Sequence, residues 1–399
     1  MALVKPFVPS RARFARPYPG IVACLAASAA LALAAGLSGC GSGAAAGNVI
    51  TVTAGACGTG WQDPKPGLQT LRIYNGSSVG GEVDLIDPAN GGIYGEVESV
   101  GPGTTAAMPV NVGSGSYAFR CLLDDADPMT GPVFKIGGHV RGAAAIAPVT
   151  DNDLIEPAKE YHAYVTAGLI VLAGQTRALA AAVQAGNLAA ARAAWLPAHL
   201  TYERLGAAYG TFGDFDDEID GRATGLPGGV GDPKFTGFYR LEYGLWHGQS
   251  AAELTGPAEQ LYRYVLGLQA AFPTMEVSLL DMGLRTHEIL ENALEFQLTG
   301  TDDYGSGTTL ATTGANITGT LELLQVLHPL LVSRYRALPQ VYVWLNRLQS
   351  LISAQHQPNG SWTPVAALAA RSREQIDAAI GQALQELAPI AAITEPRTT

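Results

Sequence analysis

"LIEPAKEYHAYVTAGLIVLAGQTRALAAAVQAGNLAAARAAWLPAHLTYERLGAAY", residues 154–209, decides how this chain is read. Its apolar residues run on at helical period, and only Gly186-Asn187 interrupts them, so two helices joined at a tight break are expected. Further helical runs follow near 233–248, 251–271, 275–299, 310–336, 338–355 and 371–388, with nothing among them that reads as a strand. Residues 151–390 are therefore expected to form an all-α bundle. Upstream the period is different. From Val49 to about Ile136, short alternating runs such as "NVITVTAG", "LQTLRIYNGS" and "SYAFRCLL" are punctuated by Gly, Pro, Asn and Asp. That pattern predicts a small all-β sandwich over 49–137, with 138–150 as a connector.

The first residues read as an export signal. Lys5, Arg11, Arg13 and Arg16 precede an apolar segment, 21–37, which ends in Leu37-Ser38-Gly39-Cys40. This arrangement resembles a lipoprotein signal over 1–40, with Cys40 as the lipidated residue and 41–48 as a small-residue linker. Losing it removes four basic residues and no acidic one, so the formal charge moves from −11 to −15. A chain this acidic is poorly suited to nucleic acid and well suited to cations. Two cysteines remain, Cys57 and Cys121, and in an exported chain they are expected either to pair or to ligate a metal.

Three helical segments place a carboxylate one turn from a polar neighbour. These are His199 with Glu203, Tyr239 with Glu242, and His287 with Glu291. Spacings of three or four residues put both side chains on one helix face, and bundles build metal sites from such inward-facing groups. Between the first two pairs lies "FGDFDDEIDGR", carrying Asp214, Asp216, Asp217, Glu218 and Asp220. Clustered oxygens favour hard cations, and imidazole with carboxylate suits iron, manganese or zinc. Each piece also has a plain structural reading: a surface ion pair, a solvated acidic loop or cap, a core tyrosine. "HEILE", 287–291, begins like a zinc-peptidase motif, but its fifth residue is Glu291 rather than histidine. In the β-half, Cys121 and Met129 lack the two histidines of a blue-copper site, leaving carboxylates around 82–98 or 124–127 as a harder alternative.

Several of these stretches together resemble a known family. "FGDFDDEIDGR", "FTGFYRLEYGLW", "HEILENALEFQLTG" and "GANITGTLELLQVLHPLL" are similar to the imelysin-like domain of EfeO-type iron-uptake proteins. "GEVESVGPGTTAAMPV" and "GSYAFRCLLDD" resemble the cupredoxin-like domain that precedes it in full-length members. The resemblance implies a cupredoxin-like sandwich followed by an imelysin-like bundle, in an extracytoplasmic protein that binds iron. It implies delivery of that iron to a membrane permease, with a haem peroxidase as a further partner. The family's G-x-H-x-x-E motif falls on Gly237 to Glu242, where Tyr239 stands in place of the histidine. The expected iron ligands are therefore Glu203, Asp214, Glu242, His287 and Glu291, with Tyr239 beside them. A second site, for iron or copper, is implied at Cys57, Glu82 and Cys121. The competing expectations are a metal-dependent peptidase and a cell-surface binder of polysaccharide.

Overall fold

Alternate burial along the strands assembles the first half. In β3 (Gly67–Asn75), Leu71, Ile73 and Asn75 point inward while Thr70, Arg72 and Tyr74 face out, the period-2 signature of a half-buried strand. The computed structural model describes residues 49–397, so the expected signal, Cys40 and the linker 41–48 lie outside the described residues. One sheet runs in the order β2 (Ala56–Thr59), β1 (Val49–Thr53), β3, β6 (Thr105–Val112), with β1 and β3 parallel. The other runs β5 (Ile93–Val97), β4 (Gly81–Ile86), β7 (Gly115–Leu123), β8 (Met129–Thr130), and β9 (Phe134–Ile136) also pairs with β7. Ile50, Val52, Ile73, Val83, Leu85 and Phe119 fill the core of this sandwich.

Cys57 of β2 and Cys121 of β7 form a disulfide that ties the two sheets together across 64 residues of sequence. Closing a loop of that length restricts the unfolded chain by about 4 kcal/mol. The bond also corrects the expected second metal site. Both sulfurs are consumed, so neither is a thiolate ligand, and the sulfur expected of a copper site is gone. Glu82 cannot join them either. It pairs with Leu122, while Val83 pairs with Cys121, so Glu82 lies on the opposite face of the sheet from Cys121.

The second half is helical throughout. The break at Gly186-Asn187 forms as expected: Gly186 takes φ 72°, and the Asn187 side chain caps the next helix at the Ala190 N–H. The resulting pair is α1 (Asp151–Gln184) and α2 (Leu188–Glu203). Among the described helices, only α1 is long and apolar enough to cross a membrane. Its Leu154, Tyr161, Val165, Leu169 and Leu172 are buried in the bundle core. Two short helices, α3 (Tyr209–Phe212) and α4 (Asp214–Asp220), lead to α5 (Gly237–Trp246) and α6 (Ala251–Ala271). Then come α7 (Leu279–Asn292), α8 (Thr309–Arg334), α9 (Leu338–Ser353) and α10 (Ala370–Thr394). A π-helical segment, Ala293–Gln297, extends α7. The acidic run, read from sequence as a loop or cap, is itself helix α4, with Ile219 turned into the core.

The segment after α10 packs on the sandwich. Arg397 donates to both oxygens of Glu96 at 2.7 Å, and Arg334 donates to the carbonyls of Ala147 and Pro148 in the connector.

Candidate metal centre

The last turn of α2 carries His199 and Glu203, one turn apart and both buried. Helix α4 ends on Asp220, which closes on the same histidine. His199 Nε2 lies 3.0 Å from Glu203 Oε1 and 3.0 Å from Asp220 Oδ1. One ligand atom from each of these three residues falls within 4.8 Å of the others. The imidazole is walled by Trp195, Phe238 and Tyr239, with ring centroids 4.9 to 5.2 Å away.

Two glycines make this convergence sterically possible. Gly237 opens α5 at φ 76°, and a Cβ there would sit 2.1 Å from the Ile219 carbonyl oxygen. Only glycine lets α5 press against the end of α4 that carries Asp220. On α8, a Cβ at Gly319 would come within 2.6 Å of the Arg204 carbonyl oxygen. That close approach to the end of α2 brings Asn316, one turn earlier, to donate to Glu203 Oε2 at 2.8 Å.

Electrostatics fit a site built to exchange protons for a cation. Burial works against charge on His199, but Asp220 and then Glu203 hold the imidazolium up to about 10. Burial pushes Asp220 up to about 8 against the pull of His199. Burial also raises Glu203, yet the hydrogen bonds from His199 and Asn316 keep it below its ordinary value. In the metal-free protein a proton on Nε2 thus occupies the position a cation would take. The Asn316 Oδ1 and Gln297 Oε1 oxygens are buried without a partner beside it. One nitrogen and two carboxylates form a mixed donor set of the kind that suits iron, manganese or zinc.

The motif residues of α5 stand next to this trio. Glu242 is 1% exposed and accepts from the backbone N–H groups of Tyr304 and Ser306 at 3.2 and 3.0 Å. Burial pushes it up to about 7. The Tyr239 hydroxyl donates to Asp302 Oδ2 at 3.3 Å, and burial lifts the phenol well above its ordinary range. Asp302 also accepts from Arg222 Nε at 2.9 Å and from Gln297 Nε2 at 3.1 Å. Glu242 and Tyr239 therefore hold the 302–306 loop against the centre, and Tyr239 packs its ring edge-on to His199.

Of the ligand set expected from sequence, Glu203 alone lies within the trio. Asp214 is exposed. His287 and Glu291 face each other at 3.6 Å with side chains 25% and 58% exposed. Arg285, Ile289 and Asn292 of α7 line a cavity of about 210 Å³ beside Glu203 and Asp220. His287 and Glu291 fall on the other side of that helix. His199 and Asp220 were visible as candidates in the sequence; Arg222, Gln297 and Asn316 lie inside the family-like stretches but at no spacing that marks a site, and Asp302 lies outside those stretches.

A second group of carboxylates, Glu82, Asp84 and Glu96, sits in the sandwich. Asp84 is already paired with Arg120 at 2.9 Å and Glu96 with Arg397 at 2.7 Å. Burial, followed by the charge of Asp84, pushes Glu82 up to about 8. Arginines already neutralise much of this cluster, which leaves the helical trio as the stronger candidate.

Comparison with known proteins supports the same half of the chain. Residues 157–391 match the imelysin family. "Iron uptake system component EfeO" of Yersinia pestis is 31% identical over 267 residues, covering 66% of this chain and 69% of that protein. The protein of the same name from Yersinia pseudotuberculosis is 30% identical over the same span. That of Escherichia coli K12 is 31% identical over 242 residues, covering 59% of this chain and 61% of its own.

Proposed function

This chain belongs to the imelysin family, and from that premise we propose that it is the iron-binding component of an iron-uptake system. Its relatives carry that system in their names. The observation that carries the reading is the trio of buried His199 and Glu203 with half-buried Asp220, converging from α2 and α4 beside a cavity. Iron, as cargo, would be held by Nε2 of His199 and by the two carboxylates. To take it, His199 gives up the Nε2 proton that it shares between Glu203 and Asp220, and Asp220 gives up its own. Asn316 keeps Glu203 oriented, and the aromatic wall of Trp195, Phe238 and Tyr239 excludes water from one side. Lowering the pH reverses the exchange, which gives a route for release.

The wider expectations follow as parts of the same proposal. The disulfide fits an oxidising, extracytoplasmic compartment. An anchor at Cys40 would keep the protein beside a membrane permease that receives the ion, with a haem peroxidase acting in the same system. Among the described residues the zinc-peptidase motif is incomplete. The residue after "HEIL" is Glu291, and its pair with His287 stands at the surface.

Anaerobic calorimetry with Fe(II), on wild type and on Glu203→Gln, tests the reading. Wild type is expected to bind one ion at the trio, and Glu203→Gln to weaken it by at least about tenfold, which is about 1.4 kcal/mol. Equal affinities would remove the trio as the site.

A further inference from the structure

The cavity beside the trio is larger than a bare ion needs. Its volume of about 210 Å³ compares with the about 30 Å³ that one water occupies in the liquid. It is lined by the carboxylates Glu203, Asp216 and Asp220, and also by two arginines, Arg222 and Arg285. A site meant only to collect cations would not be expected to carry two guanidinium groups.

Neither arginine is fully engaged by its carboxylate. Arg222 is held through Nε alone, 2.9 Å from each oxygen of Asp302, and its guanidinium lies 4.0 Å over the Phe296 ring. Among the described residues its terminal amino groups have no hydrogen-bond partner. Arg285 donates from Nη1 to Glu288 at 3.0 Å, but its Nε is buried with no acceptor at all. A guanidinium presents its donors in a fixed fork that matches carboxylate and phosphate oxygens. Two such forks line one cavity beside the trio, and the donors that their carboxylates leave uncommitted define a place for an anion.

The metal leaves room for one. His199, Glu203 and Asp220 supply three protein ligands, whereas octahedral coordination takes six. With His199 neutral, the two carboxylates leave Fe(III) with one uncompensated positive charge. Resting on the iron-binding reading above, we propose that the ion is bound together with a small chelating oxyanion of the carboxylate or phosphate type. Its oxygens complete the metal's coordination and accept from the terminal amino groups that Arg285 and Arg222 leave uncommitted.

The test is the affinity for Fe(III), delivered from a weak hydroxamate chelator in carbonate-free buffer. It is measured without added anion and then with carbonate, citrate or phosphate, on wild type, Arg285→Gln and Arg285→Lys. At least one anion is expected to tighten binding to wild type by about tenfold or more, and the three arms tell which chemistry fits. Arg285→Gln is expected to lose that gain, read as the ratio of its own affinities with and without anion. Arg285→Lys, which keeps the charge beside Glu288 but not the fork, is expected to retain only part of it. Equal wild-type affinity under all four conditions overturns the proposal, as does a gain that survives Arg285→Gln intact. Should the glutamine variant fail to fold, the wild-type and lysine comparisons still decide. Iron binding without anion dependence defeats this inference alone, whereas no iron binding under any condition defeats the metal centre with it.

Discussion

Glu242 should make the metal-free protein less stable than it would be with a neutral residue in its place. The side chain is 1% exposed, and burial raises its carboxyl from 4.5 to about 7, against hydrogen bonds donated by the 304–306 loop. A carboxyl whose folded value lies above its unfolded value favours folding only while it is protonated. Its contribution is fully present below pH 4.5 and is lost as the pH rises through 7. The difference corresponds to about 3 kcal/mol at pH 8 and about 1 kcal/mol at pH 5. Glu242→Gln keeps the oxygen that accepts from Tyr304 and Ser306 and removes the charge. It is expected to be more stable than wild type by about 3 kcal/mol at pH 8, with the gap closing to about 1 kcal/mol at pH 5. Glu242→Ala loses the acceptor as well and orphans two backbone N–H groups, so it should fall below the glutamine variant by about 1–3 kcal/mol. Urea denaturation of the chelator-treated protein at both pH values measures this. A glutamine variant no more stable than wild type at pH 8, or a gap independent of pH, would refute the reasoning. A costly buried carboxylate that persists in the fold is what a functional site requires.

Replacing Cys57 and Cys121 together by serine should cost about 4 kcal/mol in denaturant unfolding, and reductant should then have no further effect. Gly237→Ala forces a Cβ against the Ile219 carbonyl at positive φ. It should destabilise the protein by about 1 kcal/mol or more and weaken iron binding by displacing Asp220; unchanged affinity would show that α5 does not position that residue. Iron affinity should rise with pH near neutrality. His199 is held up to about 10 and Asp220 up to about 8, so binding near pH 7 displaces between one and two protons, or about ten- to a hundredfold in affinity per pH unit. Calorimetry in buffers of different ionisation enthalpy counts those protons, and a count of zero contradicts the exchange.

The division of the fold is written in the sequence because hydrophobic period is local. It changes from two to helical near residue 150, and Gly186-Asn187 punctuates the helical hairpin in the expected place. The acidic run was harder to read. Its charges suggest a solvated loop, yet Gly213 at φ 58° and Gly221 bound a short helix in which Ile219 packs inward. Spacing was informative about the site only in part. His199–Glu203 and His287–Glu291 share one spacing, which guarantees a common face but not an inward one. On α2, Trp195, Ala198 and Tyr202 are buried around the pair. On α7 the buried residues are Met282, Gly283, Thr286, Ile289 and Leu290, and His287 and Glu291 lie off that stripe. Asp302 and Asn316 reach the centre from separate elements, and only tertiary packing picks Asp220 out of the acidic run.

The most direct measurement is an anomalous difference map at the iron absorption edge from crystals of the iron-loaded protein. The account predicts its strongest peak within coordination distance of His199 Nε2, Glu203 and Asp220, beside the cavity that Arg222 and Arg285 line. A peak in the sandwich at Glu82, Asp84 and Glu96, or at the exposed His287–Glu291 pair, with none at the trio, would contradict it.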